Sequence, residues 1–306
     1  MARRRNRGRN VHGILLLDKP IGLTSNRALQ RVKRLFNANK AGHTGSLDPL
    51  ATGMLPICLG EATKVSGFLL DADKRYRAAC KLGVRTNSGD ADGEVIGERS
   101  VGPLTREQVI EVLEGFLGTQ MQIPPMHSAI KQQGVPLYKL AHQGIEVERK
   151  PREVTIHHIE LLRIDGDELE IDVLCSKGTY IRTLAEDIGE ALGCGAHIAA
   201  LCRTGVGGLE MVPMVDFETL ESLAEQGFEA LDALLLPAGD ALPEWPAVRL
   251  SEDASFYLRQ GQPVFVPQLK DRGWVRLYRG DEEFLGLGTV LDDGRVAPKR
   301  LLVPSS

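Results

Sequence analysis

The sequence predicts an α+β protein: a mixed, mainly antiparallel sheet with flanking helices. Three observations carry this. Strand-like segments come in two kinds, a continuous apolar run at 12–18 (HGILLLD) and an alternating run at 76–82. Segments of helical period, 25–36 and 183–192, interrupt them. Two further strands, 154–164 and 169–174, are joined by only Asp165-Gly166-Asp167, a hairpin rather than a strand–helix–strand crossover. No internal repeat is visible.

The elements follow in order. Over 25–36, Ala28, Leu29, Val32, Leu35 and Phe36 recur at helical spacing, with Ser25 placed to cap the start. Arg27, Arg31 and Arg34 fall together on the opposite face. Thr105-Arg106-Glu107-Gln108 is a capping box that opens a helix through about 116. Gly193 stops the helix at 183–192. Two helices follow between 217 and 236. The proline-marked, acidic stretch 237–246 (PAGDALPEWP) reads as a linker, within a connector taken as 237–248. Beyond it, 273–279 and 284–291 are strand candidates and Asp292-Asp293-Gly294 is a hairpin-type turn, so 249–306 reads as a small barrel-like domain appended to a first domain, 1–248.

The composition, 42% hydrophobic and 25% charged, is that of an ordinary globular chain. No apolar run approaches the roughly 20 residues that span a bilayer. The run at 14–17 is far shorter than the about 7–15 residues of a secretory h-region, so the expected location is cytoplasmic. Five cysteines form no C-x-x-C pair and seven histidines no H-E-x-x-H, which argues against a zinc site. The net charge of −4 conceals an asymmetry. Residues 1–40 hold eleven Lys or Arg against Asp18 alone, and 204–248 hold nine acids with no Lys or Arg. A local basic face of that kind suffices to bind phosphates. For Arg3, Arg4, Arg5, Arg7 and Arg9, a solvated tail and a phosphate-contacting tail are both open and compatible.

The segment 42–53 (GHTGSLDPLATG) is the most informative, because its glycines and proline hold one acid and one imidazole off regular structure. Asp48 has two readings. Asp-Pro before an apolar stretch is a helix N-cap with proline at N1, and the same carboxylate could be catalytic. His43 alone is a turn or hydrogen-bonding residue as readily as a functional one. The segment lacks the P-loop pattern, so an NTPase is not supported. Tyr76, among Lys74, Arg75 and Arg77, suits base stacking beside a phosphate path, or equally a strand face shared with Ala78, Cys80 and Leu82. Asp90-Ala91-Asp92-Gly93-Glu94 begins like a calcium loop but lacks the downstream glutamate and is taken as a solvated turn. His157 and His158, within a strand pattern, are taken as structural. The junction 176–183 (SKGTYIRT) leads from strand to helix, where side chains and N–H groups can meet a ligand, or where Arg182 simply lies on the surface.

Together, HGILLLDKPIGLTS (12–25), KAGHTGSLDPLATGMLPICLGEATK (40–64), DKRYRA (73–78) and CSKGTYIRT with GCGAH (175–197) closely resemble the bacterial TruB family of tRNA pseudouridine synthases. The resemblance implies the pseudouridine synthase fold, with a PUA-type RNA-binding domain at 249–306. It implies an insertion at 124–152 that grips the RNA loop, where Lys131, Lys139, Arg149, Lys150 and Arg152 outnumber Glu146 and Glu148. Asp48 matches the catalytic aspartate, and His43 the residue that helps turn the target nucleotide out. Tyr76 matches the aromatic that stacks on the base; Tyr180, Arg182 and Leu201 match the rest of the pocket. Cys202 departs from the family's usual arginine, leaving Arg203 as the cation expected to contact RNA beside Arg27, Arg31, Arg34 and Lys131.

The implied reaction isomerises the T-loop uridine at tRNA position 55. It breaks N1–C1′, turns the uracil and rejoins it through C5. Nothing is oxidised or hydrolysed, so no cofactor or metal is expected. A glycoside hydrolase uses two carboxylates, whereas an isomerase that retains the uracil can use one. An adjacent Arg182 is expected to hold Asp48 ionised by lowering its pKa up to about 1–3 units. The expected partner is the tRNA T-arm, for a monomer needing no membrane and no protein partner. Two rival readings are a non-catalytic RNA-binding or RNA-folding protein and a guide-RNA-dependent pseudouridine synthase.

Overall fold

The computed structural model describes residues 8–303 except 142, 268 and 282; Arg3, Arg4, Arg5 and Arg7 lie outside the described residues. In chain order the first part contains β1 (Gly13–Lys19), α1 (Ser25–Leu35), β2 (Ala41–His43), β3 (Thr52–Leu59), α2 (Ser66–Asp71), β4 (Lys74–Leu82), β5 (Val84–Thr86), β6 (Val95–Glu98), α3 (Arg106–Glu114), β7 (Gly118–Gln122), β8 (Lys131–Gln132), β9 (Val135–Pro136), α4 (Leu137–Ala141), β10 (Arg152–Asp165), β11 (Glu168–Cys175), α5 (Ile181–Ala191), β12 (Ala196–Val206), α6 (Phe217–Gln226) and α7 (Phe228–Asp232). The remainder contains β13 (Ala247–Leu250), α8 (Glu252–Arg259), β14 (Val264–Phe265), β15 (Gly273–Arg279), β16 (Glu283–Val290) and β17 (Arg295–Leu301).

The central sheet runs β1-β3-β12-β4-β11-β10-β7, with β2 added on β3. Every pairing in it is antiparallel except β3 with β12, where Thr52 and Arg203's neighbour Cys202 are in register. A five-stranded sheet, β13-β15-β16-β17-β14, follows and fits a PUA-like domain. The expected α+β class is the one found.

The continuous apolar run at 14–17 has a direct cause: β1 is buried on both faces. Leu15 and Leu17 face the helical layer, with Val32 of α1, Ile188 of α5 and Leu220 of α6. Ile14 and Leu16 face the second core, with Leu69, Val206, Ala241 and Leu287. That second core corrects the linker reading. Ala238, Ala241 and Leu242 are buried within it, and Leu287 of the C-terminal sheet joins them. The stretch 237–246 is a packed wedge between two sheets, clamped where Phe68 meets Trp245 edge-on at 4.8 Å.

Two capping expectations are corrected. Thr24, not Ser25, caps α1, accepting from the Arg27 N–H. Ser25 is buried and instead accepts the Leu47 N–H (2.7 Å) and donates to the Leu47 carbonyl (3.0 Å), tying α1 to the 42–53 segment. No helix follows Asp48: 48–51 is a turn closed by Ala51 N–H to Asp48 O (3.1 Å), and the apolar stretch beyond is β3. The Asp-Pro pair had looked like a cap because the apolar run after it was taken for helix, yet β3, like β1, is buried on both faces. The capping box at Thr105 and the Gly193 stop are as expected.

Candidate active site

Asp48, with no helix to cap, faces α5. Its Oδ2 lies 3.0 Å from Arg182 Nε. Arg182 is buried, contrary to the surface reading, because the other atoms of its guanidinium are claimed from two sides. Nη1 donates to Ser88 O (2.8 Å) and Nη2 to His127 O (2.7 Å). Asp90 Oδ2 stands 3.6 Å from Nη1. Of the turn taken as solvated, 90–94, Ala91, Asp92 and Glu94 are indeed exposed, but Asp90 at its head is not. Asp90 is buried, and Gly89 makes the close approach possible: with φ +73°, a Cβ there would press on Glu186 and on Arg182 Cβ at 3.2–3.3 Å. The guanidinium is fixed, while the Asp48 side chain stays 44% exposed at the cleft mouth against 6% for Arg182.

The cleft floor comes from adjoining strands. Tyr76 on β4 is in register with Arg203 on β12, and Leu201 with Ala78. Tyr76 is half-buried and Leu201 buried. Tyr180 is the residue before α5, held by a two-way clasp: its N–H donates to Gln122 Oε1 (2.8 Å) and its carbonyl accepts from Gln122 Nε2 (3.1 Å). His43 ends β2 with a buried Nδ1 that has no hydrogen-bond partner among the described residues.

Arg203, expected as an RNA contact, is interior. It is 1% exposed, and donates to Met54 O (2.7 Å) and Gly45 O (3.2 Å). It crosses Gly53, where a Cβ would come within 2.3 Å of Arg203's own carbonyl. Two buried lysines were missed as structural parts of the cleft. Lys19 Nζ donates to Pro20 O (2.8 Å) and Leu23 O (2.7 Å), and sits 3.4 Å from Pro49 O. Lys74 Nζ gathers Leu70 O (2.6 Å) and Ala72 O (2.5 Å) at the end of α2. Of the α1 arginines, Arg27 and Arg34 are exposed as expected. Arg31 is not free: it pairs with Glu221 (Nε–Oε1 3.1 Å) and lies 4.1 Å over the Phe217 ring. Lys131 is exposed in the β8–β9 hairpin.

Burial drives the electrostatics. Loss of water pushes the Asp48 carboxyl above its ordinary pKa; Arg182 opposes this and Asp90 adds to it. The expected lowering by Arg182 is thus reversed, because the protein packed around one side of the carboxyl outweighs a single guanidinium. Burial, then Arg203, lowers His43, which keeps the imidazole neutral. Burial raises the Tyr76 and Tyr180 hydroxyls, so both stay protonated. Burial pushes the thiols of Cys58, Cys80 and Cys175 up to about 12, which removes them as nucleophiles. Among the described residues no His, Cys, Asp and Glu group is placed to hold a metal. The cleft offers one open carboxylate on a fixed cation, flanked by protonated phenols and a neutral imidazole.

Three family models cover this architecture: TruB family pseudouridylate synthase (N terminal domain) over 33–181, tRNA pseudouridylate synthase B C-terminal domain over 182–243, and Pseudouridine synthase II TruB, C-terminal over 246–302. The chain belongs to the TruB family of pseudouridylate synthases. Curated relatives named tRNA pseudouridine synthase B include one from Nitrosococcus oceani, 61% identical over 99% of this chain and 98% of that protein. One from Serratia proteamaculans is 53% identical over 99% of each. Among solved structures, a chain of a Cbf5-Nop10-Gar1 complex superposes with a TM-score of 0.75 at 28% identity, over 95% of this chain and 85% of that one. A chain of an H/ACA RNP bound to a substrate RNA containing 2'-deoxyuridine gives 0.72 at 26% identity, over 95% and 85%. The chain is thus a TruB-family isomerase in which Asp48 pairs with Arg182 and lies within electrostatic reach of Tyr76 and Tyr180. The basic residues expected to touch RNA divide between surface and interior.

Proposed function

We propose that the protein converts the T-loop uridine at position 55 of tRNA to pseudouridine, with Asp48 as the catalytic carboxylate. The observation that carries this is the Asp48–Arg182 pair: a half-buried carboxylate 3.0 Å from a guanidinium that is itself immobilised by two carbonyls. The named relatives support tRNA as the substrate.

The target uridine leaves its stack, at a cost of a few kcal/mol. His43 fills the space it vacates, and Tyr76 stacks on the turned-out base, worth about 1–3 kcal/mol. Tyr180 and Leu201 close the pocket around it. The ionised Asp48 carboxylate then either attacks C1′, displacing N1, or removes the C2′ proton to expel the uracil as a glycal forms. Uracil turns and C5 bonds to C1′, displacing Asp48 in the first route or, in the second, as Asp48 returns its proton to C2′; C5 then gives up its proton, N1 gains one, and Asp48 is regenerated. The sum is an isomerisation, which calls for no redox or hydrolytic partner. A primary isotope effect with 2′-deuterated uridine selects the second route.

Residues 1–248 form the catalytic domain in this reading. The insertion at 124–152, carrying Lys131, and the PUA-type domain at 249–306 hold the tRNA by shape and phosphate contacts, together with Arg27 and Arg34. The protein acts as a cytoplasmic monomer. The test is incubation of purified protein with unmodified tRNA, without guide RNA or protein partners, and mapping of pseudouridine. Modification confined to position 55 is expected. Binding without modification would favour an RNA-folding protein, and activity only with an added guide would favour the guide-dependent type.

A further inference from the structure

The geometry points to Gln122 as a positioning residue, one that fixes the Tyr180 backbone at the head of α5 and thereby the places of the Tyr180 phenol and the Arg182 guanidinium beside Asp48. The inference rests on the reading that these three residues serve pseudouridine formation.

α5 starts without a cap of its own. Tyr180 stands at the N-cap position with extended backbone (φ −97°, ψ 109°), and its side chain makes no capping bond. The Gln122 side chain supplies the missing hold from 58 positions away in sequence. A primary amide offers an acceptor and a donor at fixed spacing, which matches the N–H and the carbonyl of a single residue. Here Oε1 accepts from the Tyr180 N–H at 2.8 Å and Nε2 donates to the Tyr180 carbonyl at 3.1 Å. That carbonyl also accepts from the Leu184 N–H (3.1 Å), at the start of the helix. Two bonds to one residue restrain its backbone rotation as a single bond would not. Gln122 is 6% exposed, so little water competes for them.

Gln122 sits where two regions meet. It ends β7, the last strand of the central sheet, and pairs in register with Arg152, so it closes the stem of the 124–152 insertion. Five residues on, the His127 carbonyl accepts from Arg182 Nη2 (2.7 Å). Residues 122–127 thus hold the head of α5 at both Tyr180 and Arg182, and Arg182 Nε in turn lies 3.0 Å from Asp48 Oδ2. The Tyr180 hydroxyl stands in the fields of Arg152, Arg182 and Asp48. Turning the Tyr180 backbone moves the phenol directly and Arg182 through the first turn of α5. Gln122 acts on the reaction only through these two residues.

The experiment measures single-turnover pseudouridine formation and equilibrium binding on unmodified tRNA with the full chain. Gln122→Met keeps the volume and removes both bonds. It is expected to lower the single-turnover rate about 10- to 100-fold, the scale of a misplacement of about 1 Å, with Kd within about twofold of the wild type. Gln122→Glu gives a readout that packing alone would not move. An ionised carboxylate has no donor and sets an oxygen against the Tyr180 carbonyl, whereas the protonated acid restores one donor and one acceptor in the shape of the amide. A free glutamate titrates near about 4.3, and burial raises that. The rate of Gln122→Glu relative to wild type is therefore expected to climb as the pH falls from about 8 to about 5.5, while the relative rate of Gln122→Met stays level. A wild-type rate in Gln122→Met overturns the proposal. So does a flat ratio for Gln122→Glu, or a loss confined to Kd, which would leave Gln122 a support for RNA binding. If Gln122→Met fails to fold, the pH dependence of Gln122→Glu, read within one protein, still decides. Pseudouridine formation by the unaltered protein tests the underlying reading separately. Its absence sinks that reading, whereas its presence with a fully active Gln122→Met sinks the positioning role alone.

Discussion

The cleft and the outer face of α1 are both rich in cations, and they use them in opposite ways. In the cleft, Lys19, Lys74, Arg182 and Arg203 are all buried, and their donors are directed to backbone carbonyls of the loops that form the site. On α1, Arg27 and Arg34 project into solvent, and only Arg31 is claimed, by Glu221 and Phe217. The difference is in what has already satisfied the charge. A buried guanidinium tied to carbonyls is shut off from a phosphate in solvent and serves as a rivet for irregular backbone; a solvated one keeps its full capacity for a polyanion. The cleft thus spends cations on rigidity around one carboxylate, and α1 leaves Arg27 and Arg34 in solvent, where the proposed tRNA contacts need them.

The largest expected effect isolates the carboxylate from its rivets. Asp48→Asn preserves shape and leaves Arg182 its two carbonyls and Asp90, so the fold and tRNA binding survive. Turnover should fall by at least about 10³-fold, as is usual when the group reacting with substrate is removed. Single-turnover pseudouridine formation measures it, and normal turnover with unchanged binding would falsify the assignment. Arg182→Met strikes the rivet. It leaves buried Asp90 and the Ser88 and His127 carbonyls without their donor, a loss of about 3–5 kcal/mol in urea unfolding. A variant as stable as the wild type would mean that the guanidinium is there for chemistry alone.

Lys19 gives the comparison a pH signature. Burial lowers its pKa from 10.5 to about 8. Between those values the folded chain has released a proton that the unfolded chain still holds, so unfolding takes a proton up. Stability from this group therefore rises with pH across about 8 to 10.5, by up to about 3 kcal/mol. Buried thiols act the other way at high pH but cancel in a difference. The stability of wild type relative to Lys19→Met should climb over this window; a flat difference would mean that the ammonium is not desolvated.

Much of the fold was legible because it rests on local periodicity. The run at 14–17, the helix after Thr24, the capping box at Thr105 and the hairpin at 165–167 each leave a pattern within a dozen residues. The partnership of Asp48 with Arg182 was legible only through resemblance to a family, since 134 positions separate them. Asp90 was dismissed as a solvated turn because its burial depends on Gly89 closing against α5, which no local pattern records. Arg203 was misplaced for a related reason. On a strand an arginine reads as a surface cation, and nothing in its neighbours announces that the Met54 and Gly45 carbonyls await it. Long-range satisfaction of buried polar groups is set by the folded geometry, so the cations that build the site and those left in solvent look alike in sequence.

Tyr76 tests the cleft floor at a smaller scale. Tyr76→Leu keeps apolar volume against Leu201 but removes the aromatic face on which the proposed function stacks the base. Turnover should drop about 5- to 100-fold, in line with about 1–3 kcal/mol per stacked base, while tRNA affinity changes little. Equal losses in both would make the residue mainly a binding contact.

The smallest effects should come from α1. Arg27→Gln or Arg34→Gln should each weaken tRNA binding only about two- to fivefold near 100 mM salt. Each should also lower the salt slope by just under one, without altering turnover at saturating tRNA. Arg31→Gln supplies the contrast within one helix. It breaks the Glu221 pair and the Phe217 contact, a partly exposed ion pair worth at most about 1 kcal/mol of stability. It should leave the salt slope where it was, or weaken binding slightly through the freed Glu221 carboxylate. If Arg31 and Arg34 behaved identically in binding, prior satisfaction by a carboxylate would not be what separates the two uses of cations, and the distinction between cleft and helix would reduce to burial alone.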